Sequence, residues 1–312
     1  MIRHLHPTDS PGLLQFRQSS DQGETCTLVD ALRGGPSGFP TAKYASIALS
    51  PRAWKSYWVE AHRGRIDGVL RAGPRSGAHT WEVGELYLRN SKPELALDLL
   101  EQVAVPAARA GAHRIFIRIP TNSALFDDAR RAGYSVVQRE TVFRLESAST
   151  SVNNIGIPDS SIELRPRTSV DDHALFNLHN ATTPIEVRMK QGQTTQDWLA
   201  SSEHLGRKTS EWVFDIGNGD IGALVQRNST RSGHMFNINW AAETESNIPE
   251  LVAAALEESE DVPATSIVPE YRPALSYLLV SLGFTEQAQY EVMVKPIAQT
   301  VTEAKKAFAT IN

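Results

Sequence analysis

One closing phrase occurs twice in this chain. The first copy runs Asn122-Ser123-Ala124-Leu125, a short helix-like stretch, Gly133-Tyr134 and the strand-like Val136 to Leu145. The second runs Arg272-Pro273-Ala274-Leu275, a similar stretch, Gly283-Phe284 and the strand-like Gln289 to Val294. The copies keep register at an offset of 150 residues (133 to 283), from Ala124/Ala274 through to Val142/Val292. Upstream, Pro93-Glu94-Leu95 and Pro249-Glu250-Leu251 each precede an apolar helical run, and Ile2-Arg3 and Leu164-Arg165 open the two halves. A repeat this long is a domain and not a solenoid unit. The chain reads as one fold used twice, and 312 residues suit two domains of ordinary size.

The spacing of apolar residues gives the order of elements within each copy. Tyr57 to His62 and Ile66 to Ala72 alternate around Arg63-Gly64-Arg65, a hairpin signal, and Trp81 to Leu88 supplies a third strand. Leu95, Leu99, Leu100, Val103 and Ala107 recur at helical spacing, predicting one helix from Leu95 to Ala110 that Gly111 ends. Ile115, Ile117 and Ile119 then share one face of a strand. The second half repeats this order, with a hairpin across Gly217-Asn218-Gly219-Asp220 and helices over Ile248–Glu257 and Arg272–Leu282. Ser147 to Ser161 is rich in Ser, Asn, Gly and Thr and reads as a linker. The expected division is 1–147, a linker at 148–159, a second domain at 160–298 and a polar tail at 299–312. Each domain is α/β, with a mixed, mostly antiparallel sheet of its own flanked by helices. Leu99, Val103, Ile115, Ile117 and Ile267 are expected in the cores.

Composition excludes several classes. A net charge of −5, a pI near 6.0 and the lack of any basic run argue against a nucleic-acid partner. No stretch approaches the roughly 18 apolar residues needed to span a bilayer, so no membrane partner is expected and the chain reads as soluble and cytoplasmic. Cys26 is the sole cysteine, and His4 and His6 share a strand face without a third ligand, so no metal site is expected. Gly34-Gly35-Pro36-Ser37-Gly38 lacks the trailing Lys-Ser/Thr of a phosphate-binding loop and reads as a connector.

The element order and the two closing phrases resemble the GNAT superfamily of acyl-CoA-dependent N-acyltransferases. Asn122-x-Ala124 to Gly133-Tyr134 is similar to that family's Asn-x-Ala…Leu-Tyr-x-x-x-Gly-Phe closing motif, and the likeness spans both halves. The resemblance implies two tandem GNAT-like domains, acetyl-CoA as cofactor and a small amine as acceptor. It implies a gap beside the strand that precedes the long helix, into which CoA enters. It also implies a Gln/Arg-x-x-Gly-x-Gly/Ala loop whose N–H groups hold the pyrophosphate at the helix start. Against that pattern the first half offers Ser91-Lys92-Pro93-Glu94-Leu95-Ala96, of which Ala96 alone fits; Asn247 to Val252 in the second half fits nowhere. Glu94 and Glu250 place a carboxylate where the pyrophosphate would lie, and Pro-Glu-Leu equally makes a self-capped helix start.

The resemblance implies Lys92, Ala96 and Asn122 as cofactor contacts. The base candidates are Glu85 and Glu82 on the first-half strand; three residues apart, they are expected on opposite faces. Either is equally readable as a solvated strand carboxylate. Ala129 and Leu279 stand where the family often has a proton-donating Tyr, and the second-half strand carries Asn237 and Asn239, which cannot act as bases. Should a pocket exist, Trp81 and Trp240, which flank the two equivalent strands, are the aromatic candidates for it. Two functions follow as expectations. In one, the chain is an N-acyltransferase whose activity is confined to the first half. In the other, it is a non-catalytic tandem protein serving as a ligand-binding or structural module, with weak or absent acetyl-CoA binding.

Overall fold

The computed structural model describes residues 1–17, 23–40, 47, 54–89, 94–147, 162–192, 194–231, 233–256 and 262–298. The first half contains β1 (Ile2–His4), α1 (Ser10–Arg17), α2 (Leu28–Leu32), β2 (Tyr57–His62), β3 (Arg65–Pro74), β4 (Thr80–Leu88), α3 (Leu95–Gln102), α4 (Ala104–Arg109), β5 (Arg114–Pro120), α5 (Leu125–Arg131) and β6 (Ser135–Leu145). The second contains β7 (Leu164–Pro166), α6 (Asp172–Thr182), α7 (Ile185–Gln191), α8 (Thr195–Ser201), β8 (Ser210–Gly217), β9 (Asp220–Thr230), β10 (Gly233–Trp240), α9 (Ile248–Leu256), β11 (Ala264–Pro269), α10 (Pro273–Ser281) and β12 (Thr285–Pro296). The predicted long helix is interrupted at Val103. Pro106 has no N–H to give the carbonyl of Gln102, and its ring crowds that carbonyl. Among the described residues no helix is long and apolar enough to cross a membrane.

The two halves do not carry separate sheets. All the strands form one 12-stranded sheet in the order β1-β2-β3-β4-β5-β12-β6-β11-β10-β9-β8-β7. The closing strands are exchanged: β12 inserts beside β5 of the first half, and β6 lies beside β11 of the second. Neither β6 nor β12 ends a sheet of its own, because each needs a partner on both sides. The exchange is symmetric. In the β6–β12 ladder Glu140 pairs with Tyr290, residues separated by the repeat offset of 150 (140 to 290). A pseudo-two-fold axis therefore passes through that pair, and the repeat seen in sequence is related by this axis within a continuous sheet.

Helices cover both faces of the shared sheet, and in each half the largest core forms beneath the helical run that follows the splayed strand. In the first, Leu99, Leu100 and Val103 of the helical run meet Ile115, Ile117 and Ile119 of β5, all fully buried. In the second, Leu251, Val252 and Ala255 of α9 meet Phe236, Ile238 and Val268. At about 25 cal/mol per Å² of apolar surface removed from water, such faces supply the main stabilisation. Ile267 is also buried, but on the opposite face, among Cys26, Leu28, Val142, Met235 and Tyr290, where α2 crosses from the first half onto β11. The β8–β9 hairpin turns through Gly217, Asn218 and Gly219, all at positive φ, a conformation favourable to glycine and tolerated by Asn.

Candidate functional site

A parallel strand pair that separates partway along its length occurs twice. β4 and β5 pair only over Thr80–Val83 and Arg114–Ile117, and β10 and β11 only over His234–Phe236 and Ala264–Ser266. Beyond these points backbone groups of adjacent strands no longer satisfy one another, and something else must bond them. In the first half the chain itself does so. The Glu24 N–H donates to the Leu86 carbonyl of β4 at 2.8 Å, and the Cys26 N–H donates to the Arg118 carbonyl of β5 at 3.2 Å. The segment Gly23–Cys26 thus lies in the gap like an extra strand. Ser123 at the head of α5 donates to Glu24 at 3.3 Å, and burial raises the pKa of the Glu24 carboxyl.

Glu82 and Glu85 lie on the same face of β4, contrary to the expectation from spacing. Val83 pairs with Ala72 and Glu85 with Arg71, which leaves Gly84 as the extra residue of a β-bulge. Trp81, Val83, Leu86 and Leu88 therefore share the core face, and both glutamates point to the other. Gly84 leaves room for the Arg71 guanidinium, which a Cβ at this position would displace. That guanidinium bonds Glu85 at 2.5 Å. Glu82 accepts from Arg75 at 2.9 Å and lies 4.0 Å from Arg118.

Arg118 is fully buried and forms the centre of an ionic cluster. It forks onto Glu203 of the second half at 2.9 and 2.8 Å and reaches Glu140 at 3.0 Å. Burial would raise both Glu82 and Glu203. For Glu82 it prevails, assisted by the charge of Glu203; for Glu203, Arg118 and Arg75 outweigh it and lower the carboxyl to about 2.

In the second half the corresponding gap opens into a cavity of about 460 Å³, whose far wall is supplied by Arg75, Ser76, Gln138 and Glu140 of the first half. Asn237, Ile238 and Asn239 of β10 line one side, and Tyr271 and Arg272 before α10 line another. His179 of α6 and Trp198 of α8 close over it. Arg272 donates to Asn239 Oδ1 and lies 4.4 Å above the Trp240 ring. The Thr182 hydroxyl, which donates to the Leu178 carbonyl at 2.8 Å, lies 3.2 Å from the same Asn239 oxygen, and the Arg272 donor fixes the amide orientation. His179 Nδ1 is 3.1 Å from the Thr183 hydroxyl, and its Nε2 is buried without a partner. Burial, followed by the charges of Arg188 and Arg272, lowers His179 to about 4, so the imidazole is neutral at pH 7.

The expected site residues are not gathered into one constellation. Glu82 and Glu85 are bound to different arginines; Ala96 is buried in the core on the other side of the sheet; Asn122 is exposed. Lys92 lies outside the described residues. Ala129 and Leu279 are fully buried. Trp240 is packed in the core beneath Arg272 and does not itself line the cavity, while Trp81 is buried with its indole N–H unpartnered. Sequence reasoning missed Arg272, His179 and the Gly23–Cys26 segment. The signal for Arg272 was present, since it stands where the first copy has Asn122.

Among the described residues neither half presents an open site for acetyl-CoA; residues 90–93, before α3, lie outside them. The first gap is filled by chain. In the second, Ala242–Asn247 forms a 3-10 helix that runs directly into α9, so no open loop of N–H groups awaits a pyrophosphate. Glu250, in the first turn of α9, has a buried and unpartnered carboxylate oxygen there.

No family model matches this sequence, and no curated protein matches it. Solved structures do. A GCN5-related N-acetyltransferase from Sphaerobacter thermophilus is similar with a TM-score of 0.53 at 13% identity, over 96% of this chain and 97% of that one. A tandem GNAT protein from the clavulanic acid biosynthesis pathway has the same score and identity, over 96% and 99%. A conserved protein of unknown function from Staphylococcus epidermidis is similar with a TM-score of 0.53 at 11% identity, over 74% of this chain and 92% of that one. The chain has the tandem GNAT fold.

Proposed function

We propose that this protein is a non-catalytic tandem GNAT-fold protein, a duplication of 1–147 and 160–298 in which acyl-CoA binding has been lost and a second-half cavity takes a small molecule. The observation that carries this reading is Gly23–Cys26, hydrogen-bonded to both β4 and β5 in the gap where the resemblance places CoA. Three further features support it. The 3-10 helix before α9 removes the anion cradle, Ala129 and Leu279 have no proton to give a leaving thiolate, and Glu82 and Glu85 are each paired with arginine. A small amine would then have no acyl donor to meet. The open second-half gap favours the competing reading, an acyltransferase acting there, which acetyl-CoA binding would revive.

Calorimetric titration with acetyl-CoA decides between them. No saturable heat and no shift in thermal midpoint are expected. A ligand at 100 times its Kd stabilises a fold by about 2.7 kcal/mol, so a rise of that size at micromolar acetyl-CoA would overturn the non-catalytic reading.

A further inference from the structure

One guanidinium of the second-half cavity stands apart from the rest, while the carboxylates that line the cavity, Glu140, Glu203 and Glu211, are already held by Arg118 and Arg167. The other guanidinium groups of the cavity are matched: Arg75 binds Glu82 at 2.9 Å, and Arg167 binds Asp172 at 2.6 Å and also Glu211. Arg272 is only 8% exposed, yet among the described residues no carboxylate lies within ion-pair distance of it. Its protein partners are neutral: the Asn239 amide, the Tyr271 hydroxyl and the Trp240 ring. Arg188 nearby also lacks a carboxylate and reaches only Asn180, at 3.5 Å. A buried guanidinium that gives up hydration for neutral partners alone is costly to the fold, and a planar carboxylate accepting two N–H bonds is the group that best repays it.

The surroundings agree with an anion at this position. His179 is 8% exposed and leaves Nε2 buried and unsatisfied beside the cavity. With Asn239 Oδ1 held by Arg272, the other end of that amide has N–H donors to spare. Leu175, Trp198 and Leu199 give the cavity an apolar wall, and about 460 Å³ lies within the roughly 300–1,000 Å³ usual for small-molecule sites.

We propose that the second-half cavity binds a small organic carboxylate, its carboxylate forked onto Arg272 and its hydrocarbon part against Trp198 and Leu175. This rests on the non-catalytic reading for its biological sense, but not for its test. The test is titration of the whole protein with 3-phenylpropionate, benzoate and succinate, each beside its neutral amide, with inorganic phosphate and acetyl-CoA as separate arms. At least one acid should bind at least tenfold more tightly than its amide. Arg272→Met should weaken that acid at least tenfold. Because Arg272→Met could unfold the protein, Asn239→Asp is the second variant. It gives Arg272 an internal carboxylate, and should abolish acid binding while circular dichroism and the denaturant midpoint are retained. Acids and amides that bind alike, an absence of saturable acid binding, phosphate binding in place of every acid, or acid binding that survives Asn239→Asp would each overturn the proposal. Acetyl-CoA has no carboxylate, so its binding would undo the non-catalytic reading alone, and the two failures remain distinguishable.

Discussion

The same gap between two parallel strands is treated in opposite ways by the two halves. In the first, Gly23–Cys26 fills it and the carboxylates nearby are bound by Arg71, Arg75 and Arg118; in the second, it opens into a cavity with an arginine that no carboxylate meets among the described residues. The backbone geometry that creates the gap belongs to the fold and survived in both copies. What each gap can do is set by a few side chains and by one connecting segment. Duplication thus preserves architecture more faithfully than chemistry, as expected when function resides in sites placed on a fold.

The largest test concerns how independent the halves are. Among the described residues β6 pairs only with β11 and β12, and β12 only with β5 and β6, so residues 1–147 alone leave β6 without a described strand partner from their own half. Produced separately, 1–147 and 162–298 should each lack cooperative unfolding and show fast amide exchange throughout; produced together, they should recover both. A half that folds cooperatively alone would show that the exchanged strands are not needed, and the halves would then be separate domains after all.

The second test is the buried cluster that joins them. Replacing Arg118 by Met leaves Glu82, Glu140 and Glu203 facing one another without their common cation, and should destabilise the protein by about 3–5 kcal/mol in a urea titration. Adding Glu203→Leu should restore part of that loss, since it removes one of the unmatched charges. A loss below about 1 kcal/mol for Arg118→Met would mean that this contact between the halves is energetically idle.

Much of the fold was legible in the sequence because its causes are local. Ile115, Ile117 and Ile119 alternate, Leu99, Leu100 and Val103 follow helical spacing, and the structure buries all of them. The fixed 150-residue register, which indicated duplication, reappears as the Glu140–Tyr290 pair on the pseudo-axis. The strand exchange was not legible, since β6 and β12 have the same alternation whichever half they pair with, and the choice depends on contacts distant in sequence. The Gly84 bulge escaped for a related reason: alternation assumes an unbroken ladder, and one extra residue moved Glu85 onto the face of Glu82. At the site, the departure of Ser91–Ala96 and Asn247–Val252 from the acyl-CoA pattern is a property of the sequence alone, whereas the unmatched charge of Arg272 is a property of its surroundings and required the whole fold.

A third test uses pH and separates the halves by their histidines. None of the first-half histidines is buried, whereas His179 is, with its pKa lowered from 6.5 to about 4 by burial and then by Arg188 and Arg272. The unfolded chain takes up a proton at this position below about pH 6.5 and the folded chain does not, so stability from this group is complete above that pH and is lost as the pH falls toward 4. At about 1.4 kcal/mol per pH unit the loss approaches about 3 kcal/mol, and His179→Gln should flatten the slope between pH 6.5 and 4. An unchanged slope in that variant would place the acid sensitivity elsewhere.

The smallest expected effect lies where the halves agree, and it calibrates the others. Asp9 and Asp171 occupy equivalent positions at the first turn of each copy. Asp9 accepts the His6 N–H at 2.8 Å and the Arg3 fork at 2.7 and 2.6 Å; Asp171 accepts the Thr168 N–H at 2.7 Å and the Arg165 fork at 3.0 and 2.8 Å. In both, a carboxylate satisfies an otherwise unpaired N–H at a helix start and is held by an arginine from the opening strand. Losing such a cap costs about 1 kcal/mol, so Asp9→Ala and Asp171→Ala should each lower stability by about that much. The two losses should agree to within about 0.5 kcal/mol, the scatter of ordinary surface changes, when midpoints are compared in one denaturant. A much larger cost at one of them would show that the halves differ in more than their gaps: strand β1 or β7 would then be anchoring one copy in a way that the shared geometry does not reveal.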